Sequence, residues 1–260
     1  MHKLMQWLGI DPALRHSAGR RRIDLGDDDP TYPIYVIGDV HGCLDELKAA
    51  EQRVKDDLKG SGQRALIVLL GDYVDRGPAS ADVIDHLSSG PDPDIARIAL
   101  CGNHDDVFLK YLKRQQSLHR LLELGGQQTL LSYGIDIREI DRALLRRPNH
   151  VRDLLTELMP QFHLGFLESL PVLLRIGRYV FVHAGLRPGV PLADQRDEDL
   201  MWIREPFLTD GPDLPYLVIH GHTPCSEIEF KPSRIAVDTG AYFSRHLSVL
   251  KIDGGEGSVI

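Results

Sequence analysis

Cysteine is scarce in this chain: Cys43, Cys101 and Cys225 make an odd count with no C-x-x-C spacing. That excludes a disulfide framework and a thiolate zinc site, fits a reducing compartment, and leaves the three thiols as small buried hydrophobes. Long apolar runs are missing too. The longest, Ala65 to Leu70, has six residues, where a membrane-spanning helix needs about 20. The first ten residues hold too short an apolar stretch for a secretory segment, and no small-residue cleavage site precedes Arg20-Arg21-Arg22. A cytoplasmic chain is therefore expected. Positive charge is not in excess: 30 Lys and Arg against 38 Asp and Glu leave a net charge of −8, which argues against a nucleic-acid partner. No fixed-period repeat or low-complexity tract occurs, so solenoids and linkers drop out.

What is present is the composition of an ordinary globular domain, 260 residues of which 42% are hydrophobic and 26% charged. Residues 1–30 differ from the rest. Leu4, Met5, Trp7 and Leu8, the Arg triplet and then Gly26-Asp27-Asp28-Asp29-Pro30 predict an N-terminal arm that packs loosely on a domain spanning 31–260. A helix lying on an anionic membrane surface is a weaker reading of that arm, because its basic residues are few. It contributes no site residue, so removal of residues 1–28 is expected to spare the reaction.

From Ile34 onward, short β-branched runs stop abruptly at glycine and a polar cluster, and a helical period often follows. The runs are Ile34–Ile37, Ala65–Leu70, Ile98–Cys101, Tyr179–Val182, Leu217–Ile219 and Ile235–Val237. Between the first two, Leu44, Leu47, Val54 and Leu58 share one helical face. Strand, loop, helix, strand is the natural reading, and it implies α/β architecture with a mostly parallel, buried sheet. Residues 106–169 break the alternation. They are Leu-rich with helical spacing, turn at Gly125-Gly126 and Tyr133-Gly134, and meet a boundary at Pro148, which predicts a helical insertion.

The first five runs end in Gly38-Asp39-Val40-His41-Gly42, Gly71-Asp72-Tyr73-Val74-Asp75-Arg76-Gly77, Gly102-Asn103-His104-Asp105, His183-Ala184-Gly185 and His220-Gly221-His222-Thr223-Pro224. Any one of these residues alone is better read as a turn Asp or a hydrogen-bonded core His. Five such clusters at strand ends are not, because strand ends of an α/β sheet converge on the edge where ligands bind. Oxygen and nitrogen donors without thiolates favour manganese, iron or zinc, and two such cations about 4 Å apart clamp phosphoryl oxygens and activate water. Arg76 and Arg204 supply planar forks suited to phosphate, although Arg204 is equally readable as a surface ion pair with Glu205. His220, inside an apolar run, reads as a satisfied core histidine, and His246 as part of a solvated turn.

These blocks, in order, resemble the signature segments of the phosphoprotein phosphatases, the metal-dependent serine/threonine phosphatases, across residues 33–250. Leu200–Phe207 and Val237-Asp238-Thr239-Gly240-Ala241 look like the bacterial branch. The resemblance implies a calcineurin-like metallophosphoesterase fold, two β-sheets sandwiched between helices, with a dinuclear centre at one edge. By motif, Asp39, His41 and Asp72 would hold one divalent ion, and Asp72 would bridge to a second held by Asn103, His183 and His222. A metal-bridging hydroxide would attack phosphorus in line. His104, oriented by Asp75, would protonate the leaving group, while Arg76 and Arg204 bind phosphate oxygens. Manganese is the first expectation for both ions, with iron or zinc accepted by the same donors.

The substrate class implied is a phosphorylated protein or peptide. The alternative is a dinucleoside polyphosphate such as diadenosine tetraphosphate, cleaved with the same metals. A phosphate-binding pseudoenzyme would require a missing ligand or acid, and none is missing.

Overall fold

A computed structural model describes residues 19–90, 92–140, 147 and 149–260. Its centre is a pair of β-sheets, and the reason lies in the period-2 alternation of the strands. In β2 (Ile34–Ile37) and β3 (Ala65–Leu69), Ile34, Val36, Leu66 and Val68 point into the space between the sheets. Their neighbours Tyr35, Ile37, Ile67 and Leu69 belong to the outer core. Both faces are thus apolar, as a strand covered on both sides requires.

The first sheet has the order β11-β10-β2-β3-β4, with β4 at Ile95–Ala99, β10 at Val249–Asp253 and β11 at Glu256–Val259. Here β2, β3 and β4 run parallel, while β10 and β11 form an antiparallel hairpin on the β2 side. The second sheet has the order β1-β5-β6-β7-β9-β8. Its strands are β1 (Arg22–Asp24), β5 (Leu173–Ile176), β6 (Tyr179–Val182), β7 (Leu217–His220), β8 (Glu229–Phe230) and β9 (Arg234–Ala236). Among them β6, β7 and β9 are parallel, and so are β1 and β5, whereas β5 runs antiparallel to β6 and β8 antiparallel to β9. Two mixed sheets therefore replace the single mostly parallel one. The parallel ladders fall where the alternation predicted them, and the hairpins add the antiparallel strands.

Helix α1 (Leu44–Leu58) buries Leu47 and Val54, with Leu44 and Leu58 partly buried against the same core. Its first turn carries Asp45 and Glu46, where carboxylates favour the helix dipole. Helix α2 (Ser80–Ser88) follows β3. Within and around the expected insertion lie α3 (Asn103–Leu112), α4 (Leu118–Glu123), α5 (Gly126–Ser132), α6 (His150–Leu158) and α7 (Gln161–Ser169). Pro148 lies outside the described residues.

The arm requires a correction. Residues 22–24 are not loosely packed tail: Arg22–Asp24 pairs with Leu173–Arg175 as β1, and Ile23 and Leu25 are buried between the sheets. Arg20 hydrogen-bonds Asp106 at 3.0 Å and Arg22 hydrogen-bonds Asp197 at 2.9 Å, so the basic triplet is anchored by carboxylates of the domain. Deletion through residue 28 removes a strand. The membrane reading of residues 1–18 lies outside the described residues. Among the described residues, no helix is long and apolar enough to cross a membrane.

Candidate metal centre

The parallel strands deliver their C-terminal ends to one edge, and each functional side chain leaves the chain within a few residues of a strand end. Asp39 and His41 follow β2, Asp72 follows β3, Asn103 follows β4, His183 follows β6 and His222 follows β7. The backbone there is forced into unusual conformations. His41, Asp72, Asp75, Arg76 and His222 all have positive φ, from 45° to 70°, a costly state held by the surrounding packing. Gly71 has φ +117°, and a Cβ on it would come within 2.5 Å of Gly102 N, so glycine alone allows the β3 and β4 loops to meet.

Asp105 ties these loops together. Its carboxylate accepts hydrogen bonds from Asp72 N (2.8 Å), Tyr73 N (2.8 Å) and Gly102 N (2.9 Å). The start of α3 adds His104 N donating to Asp72 Oδ1 at 2.9 Å. Asp72 thereby keeps Oδ2 facing the histidines: 3.5 Å from His41 Nε2, 3.4 Å from His183 Nε2 and 3.8 Å from His104 Nε2. Asp72 is shared by two donor groups, one with His41 and His104, the other with His183 and His222.

The residues fit divalent cations on a specific count. His41 Nδ1 donates to Val74 O at 2.9 Å, which fixes the tautomer and leaves Nε2 as a bare lone pair. That lone pair faces the Asp72 carboxylate, and neither His41 Nε2 nor His222 Nε2 has a hydrogen-bond partner although both are buried. His183 shares the Nδ1 arrangement, 3.0 Å from Leu70 O, while its Nε2 lies 2.8 Å from Asn103 Oδ1. Lone pairs aimed at carboxylate oxygens repel unless a positive charge stands between them. Burial pushes the Asp39 and Asp72 carboxyls well up and the His41 and His183 imidazoles well down, so these contacts are not ordinary ion pairs. Burial also drives His222 down to about 2, assisted by nearby His183 and Arg204. Imidazole nitrogens held unprotonated beside carboxyl oxygens are the donor set of a candidate cation site.

The expected residues converge, with one difference in grouping. Asp39 is buried, but its carboxylate accepts from His222 N at 3.1 Å and lies beside Asp238, outside both donor groups, while His104 stands inside the first. His104 Nδ1 lies 2.8 Å from Asp75 Oδ2, and its Nε2 is 3.1 Å from Arg76 Nη2. Burial pushes Asp75 up to about 7 and His104 down to about 3, the latter also through Arg76 and Arg120. Arg76 and Arg204 are exposed at the mouth. The Arg204–Glu205 pair does not form among the described residues, and the Arg204 charge acts on His222 instead. His220 is a core histidine packed against Phe207, and His246 is exposed. All three cysteines are free, Cys43 and Cys101 buried and Cys225 half-buried.

Sequence reasoning missed Thr129, Asp105 and Asp238. Thr129 on α5 donates to Asp75 Oδ1 at 2.6 Å and accepts from Asp75 N at 2.8 Å, anchoring the helical insertion to the His104–Asp75 pair. Asp105 stood in view inside a recognised block without a role. Tyr242 and Phe243, on the short helix Ala241–Ser244, stand beside the cluster, Phe243 through its contact with Tyr242. The Tyr242 ring is 5.4 Å from that of His41.

Residues 32–250 match the sequence profile of the family described as Calcineurin-like phosphoesterase. The chain belongs to that family. As a calcineurin-like phosphoesterase it is 25% identical over 233 residues to the asymmetrical bis(5'-nucleosyl)-tetraphosphatase PrpE of Bacillus subtilis, covering 82% of this chain and 88% of that one. The symmetrical bis(5'-nucleosyl)-tetraphosphatase of Aromatoleum aromaticum is 29% identical over 60% of this chain and 45% of its own length. Among solved structures, one provisionally described as a diadenosine tetraphosphatase superposes with TM-score 0.61 at 21% identity, covering 93% of this chain and 98% of that one. A serine/threonine phosphatase from Saccharomyces cerevisiae superposes with TM-score 0.55 at 17% identity, covering 87% and 74%. These superpositions establish the fold, two sheets between helices, as the resemblance implied.

Proposed function

We propose that this phosphoesterase hydrolyses dinucleoside polyphosphates, using two divalent cations held by Asp39, His41 and Asp72 on one side and by Asp72, Asn103, His183 and His222 on the other. The observation that carries the metal requirement is the Asp72 carboxylate, shared by the His41–His104 and His183–His222 donor groups, in which His41 Nε2 and His222 Nε2 are buried without a hydrogen-bond partner. The dinucleotide is favoured over the phosphoprotein because the relative aligned over 82% of this chain and 88% of its own length is named for that substrate.

Bound there, the cations would neutralise phosphate oxygens and supply activated water at neutral pH. The chain's own groups do the rest. Arg76 and Arg204 bind non-bridging oxygens as guanidinium forks. At rest, Arg76 Nη2 occupies the hydrogen-bonding position of His104 Nε2. Turning Arg76 onto the substrate frees that nitrogen, and the incoming phosphate charge offsets the arginine field that helps hold His104 neutral. His104 would then take a proton from solvent onto Nε2, with Nδ1–H still held by Asp75, and give the Nε2 proton to the departing oxygen, returning to the neutral imidazole. Manganese remains the first choice of metal.

The deciding experiment assays purified protein with manganese against diadenosine tetraphosphate and a phosphoserine and phosphothreonine peptide panel. The reading expects a higher kcat/KM for the dinucleotide. Preference for the peptides returns the chain to the phosphoprotein class.

A further inference from the structure

Two adjacent aromatic side chains stand exposed beside a polar, charge-dense cluster, where no packing demand of the core accounts for them. Tyr242 is 36% exposed and Phe243 61%. They are held in a definite arrangement. The Tyr242 ring meets the His41 ring edge-on at 5.4 Å, and the Arg76 guanidinium lies 4.8 Å over its centroid. Phe243 meets Tyr242 edge-on at 4.9 Å. Beneath Phe243, Gly240 (φ +64°) supplies the space: a Cβ at that position would run into the Phe243 ring. One side of the phenyl group thus rests on backbone, and the ring turns its remaining surface to solvent.

The neighbouring rings cannot serve as a stacking face in the same way. Tyr242 has Arg76 over its ring, and Trp202, near His222, is covered by Arg120 at 5.3 Å. Phe243 is joined to the candidate metal ligand His41 through Tyr242, by ring contacts of 4.9 Å and 5.4 Å. Arg76 marks the intervening space as one for phosphate oxygens. An exposed aromatic surface linked through Tyr242 to a phosphate-binding arginine and the candidate metal cluster suits a ligand in which a flat π-system is joined to phosphate.

We propose that Phe243, braced by Tyr242 and Gly240, forms a nucleobase subsite that stacks one base of the substrate while its adjoining phosphate lies at Arg76. This rests on the dinucleotide reading and assigns it a recognition element. Stacking reads the π-face and not the base edge, so the subsite accepts adenine and guanine alike.

The test uses full-length, manganese-loaded protein and its Phe243→Ala and Phe243→Trp variants, with ADP and inorganic pyrophosphate as competing probes. The two probes share the diphosphate and differ in the nucleoside. In Phe243→Ala the inhibition constant for ADP should rise relative to that for pyrophosphate by about tenfold, within the range that base stacking on an aromatic contributes. The KM for diadenosine tetraphosphate should rise in parallel, and Phe243→Trp should restore both. An unchanged ADP-to-pyrophosphate ratio in a variant that melts normally overturns the subsite. So does a KM increase confined to phosphotyrosine peptides, which would assign the ring to a phenolic leaving group. Wild-type protein that hydrolyses monoesters but not diadenosine tetraphosphate overturns the dinucleotide reading itself. That result is separate from failure of Phe243→Ala in a protein that does cleave the dinucleotide.

Discussion

Thr129→Val removes one hydroxyl from a fully buried position and keeps the side chain's shape. The hydroxyl donates to Asp75 Oδ1 at 2.6 Å and receives Asp75 N at 2.8 Å, while Ser80 Oγ stands 3.2 Å from the same amide and can retain part of that second bond. The main loss is a hydrogen bond to a charged group, about 1.5–3 kcal/mol. Thr129 opposes the burial that has already pushed Asp75 up to about 7. Its removal therefore favours the protonated carboxyl by about one to two pKa units, since about 1.4 kcal/mol corresponds to one unit. The limb of the pH profile that requires anionic Asp75 should move to higher pH by about one unit or more. At neutral pH, turnover of a substrate with a poor leaving group should fall about tenfold. The melting temperature should also drop by about 4–8 °C for a loss near 2 kcal/mol in a chain of this size. Thr129→Ser, which keeps the hydroxyl, should restore the pH limb. The assay is kcat against pH with manganese present. A Thr129→Val protein that melts earlier yet keeps the wild-type limb would refute the electrostatic role and leave Thr129 a packing residue.

Other outcomes follow from the same geometry. His104→Asn should retain both metal ions, lose about 10²-fold or more on phosphoserine peptides and diadenosine tetraphosphate, and lose less on p-nitrophenyl phosphate, whose leaving group needs no proton; loss of a metal in that variant would move His104 into the ligand set. Arg76→Gln should lower kcat/KM by about 10- to 100-fold through a lost charge-assisted contact, and an unchanged value would remove it from phosphate binding. Gly71→Ala should destabilise the fold by about 3 kcal/mol or more, because its φ of +117° and the Gly102 backbone leave no room for a methyl group; a normal melting temperature would contradict that. Burial pushes Asp75 up to about 7 and Asp105 up to about 6. A carboxyl raised in the native state stabilises it fully below the unfolded value of about 4 and loses that contribution as pH rises through 6 to 7. His104 and His222, held down to about 3 and about 2, act in the opposite sense as pH falls through 6.5. The carboxyl contribution is therefore read from the melting-temperature difference between chelator-treated wild-type and Asp75→Asn protein, which should shift against wild type between pH 5 and pH 8; a difference independent of pH would contradict the raised carboxyl.

The sequence disclosed the parallel ladders and the candidate metal-binding side chains for one reason: both are written locally. Asp39 and His41 sit two residues apart between glycines that permit the turn, and β3 is an uninterrupted apolar run. The hairpin strands were illegible because their pairing is non-local and their own patterns are weak. Arg22–Asp24 has one apolar residue, Ile23, and becomes a strand only because β5 lies beside it with carboxylates of the domain to receive Arg20 and Arg22. Thr129 is 54 positions from Asp75, and nothing in its neighbourhood signals a partner. Asp238 acts on Asp39 through shared burial, a property of the folded chain alone. Asp105 stood inside a recognised block without a role, since three backbone donors converge on it only after the β3 and β4 loops meet.

The central claim is that Asp72 is the shared ligand of two cations on which hydrolysis depends. Elemental analysis of purified wild-type and Asp72→Asn protein after manganese loading, paired with turnover of diadenosine tetraphosphate on the same samples, tests it directly. The account predicts two metal ions per wild-type chain, fewer than one in Asp72→Asn, and activity lost with the metal. Two fully occupied metals with near-normal turnover in Asp72→Asn would contradict it.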